Sequence, residues 1–391
     1  IEVTRRVFMQ RLHSEERLFT SYTKKTNRPC WSLLGLPFDQ VDPDQAVDII
    51  DQAIKTKRKC FLSTPNLNFI VQAKSDESFY ESVIYSDLVV ADGMPVIWTA
   101  KLLGIPLQSR VAGSSLFEIL QNKRRDKPIS VFFFGGQGSA AEQAAENLNR
   151  HSVGMIACGA LNPGMGSVES MSDKAIIDQI NAAEPDFLVV ALGAKKGQQW
   201  IMNNREKLNV SVISHLGAVV NFVGNNIQRA PLRWQKIGLE WVWRILQEPL
   251  LWKRYLIDGL WFLRLMLTKV LPLVIYQKIL RKNTTKALTL KINNDVPGSN
   301  IELVLSGAAT IENGRLLKSS CREILDQLAV SPSISINCSK MDYIDSSALG
   351  TLMLLKANIK RRGGDFGLFG TSPRINRLMR LHGVEEFLLE Q

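Results

Sequence analysis

The chain is poor in the residues from which metal and redox centres are built. Its 391 residues include five cysteines, Cys30, Cys60, Cys158, Cys321 and Cys338, which are scattered and form no C-x-x-C pair. That usage predicts reduced thiols in the cytosol and argues against a zinc site. The four histidines contain no H-x-x-x-H pair, so a histidine-built metal site is not expected. Apolar runs are short. The best candidate for a spanning helix is interrupted by Arg264, Lys269 and Pro272, and no run approaches the ~18 residues that a bilayer crossing needs. No secretory leader is expected, because Glu15-Glu16-Arg17 stands where its apolar core belongs. A G-x-G-x-x-G fingerprint is also missing. "FFFGGQGSAAEQA" (132–144) has glycines at 135, 136 and 138, Ala141 in the last position, and no acidic ribose ligand placed after it. This argues against a dinucleotide-dependent oxidoreductase.

What is present is ordinary globular composition, 45% hydrophobic and 22% charged, long enough for two or three domains. The net charge of +11 is concentrated. Residues 1–28 carry seven Lys/Arg against three acids, and residues 229–272 carry eight against three. Charge of that density seeks a phosphate-bearing partner. The second segment also holds five of the eight tryptophans.

From about Trp31 to Pro231, short apolar runs alternate with helical stretches. The runs are 60–65, 87–93, 129–136, 153–159, 185–193 and 210–217; helices are expected at 139–151 and 173–184. This predicts an α/β, Rossmann-like parallel sheet with ligands beyond the carboxyl ends of its strands. Those ends are Thr64-Pro65-Asn66, Asp92-Gly93 and Gly135-Gly136. Asp42-Pro43-Asp44 mimics a D-x-D metal motif but precedes an amphipathic stretch, so it reads as a helix start. Residues 286–391 repeat the strand–helix alternation on a smaller scale, which predicts a second, small α/β domain.

Singly, Thr64, Asn66 and Asp92 are residues of turns and caps. Together, "T-x-N" after the first strand, "ADGMPVIW" (91–98), "RVAGS" (110–114), "QRAPLRW" (228–234) and "GLEWVWRILQEPLLWKRY" (238–255) resemble the WecG/TagA/CpsF family, glycosyltransferase family 26. The resemblance covers about residues 31–258. It implies an inverting transfer of a sugar, often N-acetylmannosamine and otherwise of glucose type, from a UDP-sugar to a polyprenyl-diphosphate-linked acceptor in exopolysaccharide or cell-surface polysaccharide biosynthesis, without a metal cofactor. By position it implies Asp92 as general base, with Thr64 and Asn66 lining the pocket. Gly93, Arg110, Gly135, Gly136 and Gln198 would border it, and Arg229, Arg244 and Arg254 would reach the diphosphates. An inverting displacement needs a carboxylate to take the acceptor proton and positive charge for the leaving diphosphate. Four positions depart from the family pattern: Gly197 and Gln198 stand where Gln and Glu are usual, and Ser115 and Asn221 where Asp is. They leave open an alternative, a non-catalytic signalling scaffold.

"YIDSSALG" (343–350) and the pattern after it resemble the STAS domain of anti-sigma-factor antagonists. By position Ser346 is the phosphoacceptor candidate, with Ser347 the alternative; a helix N-cap is the bland account. Thr310 replaces the usual acid after the first strand. The whole predicts a basic arm (1–30), a glycosyltransferase domain (31–228), a Trp/Arg-rich membrane-proximal appendage (229–282) and a STAS domain (283–391). In the appendage, Trp234, Trp241, Trp243, Trp252 and Trp261 suit a headgroup boundary, and the neighbouring Lys/Arg suit anionic lipid. The expected partners are a UDP-sugar, the lipid-linked acceptor, an anionic membrane surface, and a kinase or anti-sigma-like protein on the STAS domain, with no nucleic acid. The expected location is cytoplasmic and peripheral, on the inner face of the membrane.

Overall fold

The computed structural model describes residues 28–107, 109–224, 228–281, 287–294, 300–327 and 333–389. Residues 1–27 of the basic arm, and residues 282–286 and 295–299 around the start of the expected STAS domain, lie outside them. The described residues divide into two compact units. One holds residues 41–97 and 109–260; the other holds 28–40, 98–107 and the described residues from 261 onward.

The strands in chain order are β1 (Cys30–Leu33), β2 (Leu36–Asp39), β3 (Cys60–Ser63), β4 (Leu88–Val89), β5 (Ile129–Gly135), β6 (Met155–Leu161), β7 (Phe187–Ala191), β8 (Val212–His215), β9 (Thr289–Asn294), β10 (Asn300–Ala309), β11 (Ser333–Ile344) and β12 (Asp365–Phe369). In the first unit, six of them form one parallel sheet in the order β4-β3-β8-β7-β5-β6. The six runs expected from the sequence are these six strands. Central strands covered on both faces must be mostly apolar, as "FLVVA" is and as "ISVFFFG" is after Ser130. Their period of two sorts the side chains: Val131 and Phe133 enter one core, Phe132 and Phe134 the other.

The helix Pro43–Lys55 starts on a capping box. Asp42 accepts from the Gln45 N–H at 2.8 Å, and the Gln45 side chain accepts from the Asp42 N–H at 3.1 Å. Asp42 and Asp44 are thus a helix start, as their context predicted. All six strands run the same way, so their carboxyl ends share one edge.

The second unit contains a four-stranded sheet in the order β12-β11-β10-β9, antiparallel only at β9. Helix Ser346–Arg361 follows β11 and is buried from Ser346 to Ile359. The hairpin β1–β2 belongs to this unit, with Leu34 (φ 53°) and Gly35 (φ 93°) making its two-residue turn. All eight of its strand residues are buried.

Pro249–Leu280 is one helical run of 32 residues, long and apolar enough to cross a membrane. This corrects the sequence expectation that no such segment exists. Pro272 does not end the run, because a π-helical turn at Met266–Val270 immediately precedes it. The wider turn accommodates the missing N–H and the ring.

Candidate active site

The site is built at the carboxyl edge of the six-stranded sheet. The chain leaves β3 through Thr64, which is buried, and Asn66, whose side chain caps helix Leu67–Ala73 by accepting from the Phe69 N–H at 3.2 Å. It leaves β4 through Asp92, whose N–H donates to the Pro65 carbonyl at 3.0 Å. The next residue, Gly93, has φ +121°, and a Cβ there would sit 3.5 Å from the Asn66 Cβ. The two loops are thus tied into one surface.

Helix Gly113–Asn122 enters from the side. A Cβ on Gly113 would lie 2.5 Å from Leu216 Cδ2 and 3.5 Å from Thr64 Oγ1. Only glycine lets the helix start this close. The Gly113 N–H reaches Asp92 Oδ2 at 3.4 Å, so Thr64, Asp92 and the helix start are neighbours.

Burial pushes the Asp92 carboxyl up to about 6. The Arg110 guanidinium pulls against this, Glu240 adds to it, and the Gly113 N–H and Arg229 pull down again. Arg110 and Glu240 themselves pair at 2.6 Å, both largely buried. Arg229 pairs with Glu118 and donates to Ser115 Oγ at 2.5 Å. Ser115, one of the four departures from the family pattern, is thus a partner of a site arginine. Glu240, Glu118 and Gly113 were not singled out from the sequence, although Gly113 and Glu240 lie inside the motifs that were.

Arg244 and Arg254 are placed differently. Arg244 pairs with Glu248 at 2.9 Å and lies over the Phe222 ring. Arg254 lies over the Tyr255 ring and favours the charged form of Asp258. Asp258 is buried and accepts from Asn68 Nδ2 at 3.3 and 3.4 Å. That contact ties the segment after residue 229 to the helix Leu67–Ala73 that follows β3.

The glycine turn after β5 is tightly seated. Gly135 and Gly136 have φ 96° and 99°, and a Cβ on Gly135 would lie 2.7 Å from the Ala191 carbonyl oxygen. The Gly136 N–H donates to that oxygen at 2.8 Å, so this donor is already used within the fold. Gln198 is fully buried, with Nε2 donating to Ser63 Oγ at 2.9 Å. It supports the end of β3 from behind and offers no surface to a substrate. Gly197 has a clear packing reason. A Cβ there would lie 2.3 Å from His215 Cδ2, so the imidazole fills the space a larger residue would need. Burial holds His215 neutral, down to about 4.

Two of the five appendage tryptophans pack together: Trp234 and Trp243 meet edge to face at 5.9 Å, and Trp243 Nε1 donates to the Gln228 carbonyl. Trp241, Trp252 and Trp261 are exposed. In the second unit Ser346 begins its helix with Asp345 as the N-cap, which accepts from the N–H groups of Ser347 at 2.8 Å and Ala348 at 3.0 Å. Both Ser346 and Ser347 are buried. Among the described residues no three His, Cys, Asp or Glu side chains gather as a metal-binding group.

Residues 31–274 match the model of the glycosyl transferase WecG/TagA/CpsF family, and residues 292–390 match that of the Mlab, STAS domain. An N-acetylglucosaminyldiphosphoundecaprenol N-acetyl-beta-D-mannosaminyltransferase of Bacillus spizizenii is 32% identical over 230 residues, covering 56% of this chain and 87% of the relative. Enzymes of the same name from Staphylococcus aureus and Bacillus subtilis are 24% and 25% identical, covering 59% and 57% of this chain and 89% and 85% of theirs. A structure titled as the anti-sigma factor antagonist SpoIIAA in its unphosphorylated form aligns with 25% of this chain and 83% of its own, at 14% identity and a TM-score of 0.22.

Proposed function

Since the chain belongs to the WecG/TagA/CpsF glycosyl transferase family and carries a STAS domain, we propose that it transfers an N-acetylmannosamine-type sugar from a UDP-sugar to a polyprenyl-diphosphate-linked acceptor in cell-surface polysaccharide assembly. The observation that carries this reading is Asp92. A carboxyl held at about 6 is ionised at neutral pH, yet is a stronger base than an ordinary carboxylate. That is the poise a general base needs. The acceptor hydroxyl oxygen attacks the anomeric carbon, its proton passes to Asp92, and the bond to the UDP oxygen breaks on the opposite face. Arg110 and Arg229, both close enough to act on Asp92, supply positive charge to the leaving diphosphate. Thr64 and Asn66 orient the sugars. The activity needs no metal in this reading.

The acceptor's lipid stays in the bilayer, so the enzyme works at the membrane face on the cytoplasmic side. Support comes from the helical run after Pro249, where Leu250, Leu256, Leu260, Leu263, Leu267, Leu271 and Ile275 are exposed, every third or fourth residue after the first two. An apolar stripe of that period, flanked by Trp252, Trp261, Lys253 and Arg264, suits the headgroup boundary. The test is release of UDP from UDP-sugars in the presence of a lipid-diphosphate-linked sugar. No release with any UDP-sugar, from a protein that binds the acceptor, refutes the enzymatic reading.

A further inference from the structure

The hairpin β1–β2 pairs with neither large sheet. A lone two-stranded hairpin is marginal in water, so its order comes from what it lies on. Within the second unit that is helix Ser346–Arg361. The Ser346 hydroxyl donates to the Ser32 carbonyl at 2.6 Å. Gly350 sits directly under the strand: a Cβ there would lie 2.6 Å from the Cys30 carbonyl oxygen and 3.1 Å from the Ser32 nitrogen. Cys30, Trp31, Leu33, Leu36 and Phe38 are all buried. The contact is therefore backbone against helix, fastened by the Ser346 hydroxyl and by a hydrogen bond between His382 and the Ser32 backbone, and permitted by one glycine.

The same junction contains a buried polar atom that finds no partner among the described residues, Ser32 Oγ. Such an atom costs stability where it is enclosed and regains water when the contact opens. The hairpin is thus held mainly by apolar burial and a few polar contacts, with Ser32 Oγ left unpaired, which is the pattern of a contact that can open without unfolding what lies beneath. Asp345 and Asp39 carry negative charge on the two sides of the junction, with Arg28 pairing Asp39 at 3.5 Å, and Lys318 feels the field of both acids.

We propose that residues 28–40 are the resident ligand of the Asp345-Ser346-Ser347 face, so that any protein that binds or modifies this face must first displace the hairpin. Ser346 is the fastening on that face. While its hydroxyl donates to Ser32, it is closed to a kinase. A negative group at Ser346 can no longer donate to a carbonyl and stands beside Asp345, so it favours the open form. The hairpin also lies within the stretch matching the glycosyl transferase family model, from residue 31. Its release is therefore a link from the STAS face to that part of the sequence.

The experiment uses the full chain. Peptide-resolved hydrogen exchange reports residues 30–39, and alkylation located by mass spectrometry compares Cys30 with Cys321, which lies buried in the same unit. In the wild type, residues 30–39 should be protected and Cys30 should react faster than Cys321, because the hairpin opens locally. Ser346→Asp and Gly350→Leu should each speed exchange at 30–39 and Cys30 alkylation by at least 10-fold, with Cys321 unchanged. Should Gly350→Leu unfold the whole unit, Ser346→Ala decides: it removes the fastening without adding bulk and should speed Cys30 alkylation several-fold, again leaving Cys321 unchanged. Equal reactivity of Cys30 and Cys321 in the wild type, or unchanged protection of 30–39 in Ser346→Asp and Ser346→Ala, overturns the proposal.

Discussion

Replacing Asp92 by Asn should make the protein more stable and nearly inactive, and the two effects have one origin. Burial raises the Asp92 carboxyl from 3.8 to about 6, so the folded chain holds this proton more tightly than the unfolded chain does. As pH rises from about 4 to about 6 the unfolded form loses its proton first, and stability falls through that window; above it the deficit is complete. A shift of that size corresponds to about 3 kcal/mol as a ceiling, and the partial exposure of Asp92 reduces it to about 1–2 kcal/mol by solvent screening. Asn keeps the shape and an acceptor for the Gly113 N–H, but has no charge to desolvate. In a thermal melt at pH 7.5, Asp92→Asn should therefore melt about 2–8 °C above wild type. The difference should shrink toward zero near pH 4, where the wild-type carboxyl is protonated. Transfer should fall by about 10²-fold or more, since the proton acceptor is gone. A mutant less stable than wild type at pH 7.5, or a gain equal at both pH values, would show that Asp92 is not held against its own charge, and the argument for its basicity would fall with it.

The remaining expectations follow from the same surroundings. Wild-type kcat/KM should rise with pH through about 6; Arg110→Gln should move that limb to higher pH and Glu240→Gln to lower pH, because the first removes a group that lowers the Asp92 carboxyl and the second one that raises it, as a pH–rate profile will read. EDTA should leave transfer unchanged, and strict Mg²⁺ or Mn²⁺ dependence would count against the mechanism proposed here. Gly197→Ala should destabilise by about 1–3 kcal/mol, the usual cost of overpacking, because its methyl meets His215; a chemical melt that shows no change refutes the packing account. Lys253→Gln with Arg264→Gln should weaken binding to anionic vesicles, added salt should mimic the change, and activity on a short water-soluble acceptor should persist. Lys269→Gln should have less effect on vesicle binding, because Lys269 donates to the Arg380 carbonyl at 2.7 Å.

The alternating apolar runs made the six-stranded sheet legible, because strands buried on both faces must be mostly apolar. The position of Asp92, Thr64 and Asn66 just past strand ends was legible too, since each follows a short apolar run. The hairpin was not. Its strands are four residues long and buried on both faces, too short to show an alternation, and its partner helix lies at the far end of the sequence. Nor does periodicity reveal that Gln198 turns inward to Ser63, or that His215 fills the space above Gly197. Those are packing facts, settled by neighbours from other elements. The 32-residue helix was hidden by Pro272, a residue that ends most helices but falls here just after a π turn.

The Ser346–Ser32 bond joins residues 314 apart in sequence. During synthesis the hairpin therefore emerges first and its cover almost last. At ~5–20 residues per second that interval is about 15–60 s, during which Trp31, Leu33, Leu36 and Phe38 have no helix to lie on. Closing so long a loop also makes docking of the hairpin a late step in folding. A ribosome that stalls beyond residue 285 leaves a chain whose catalytic sheet is fully synthesised but whose first forty residues still present that apolar hairpin to chaperones and proteases.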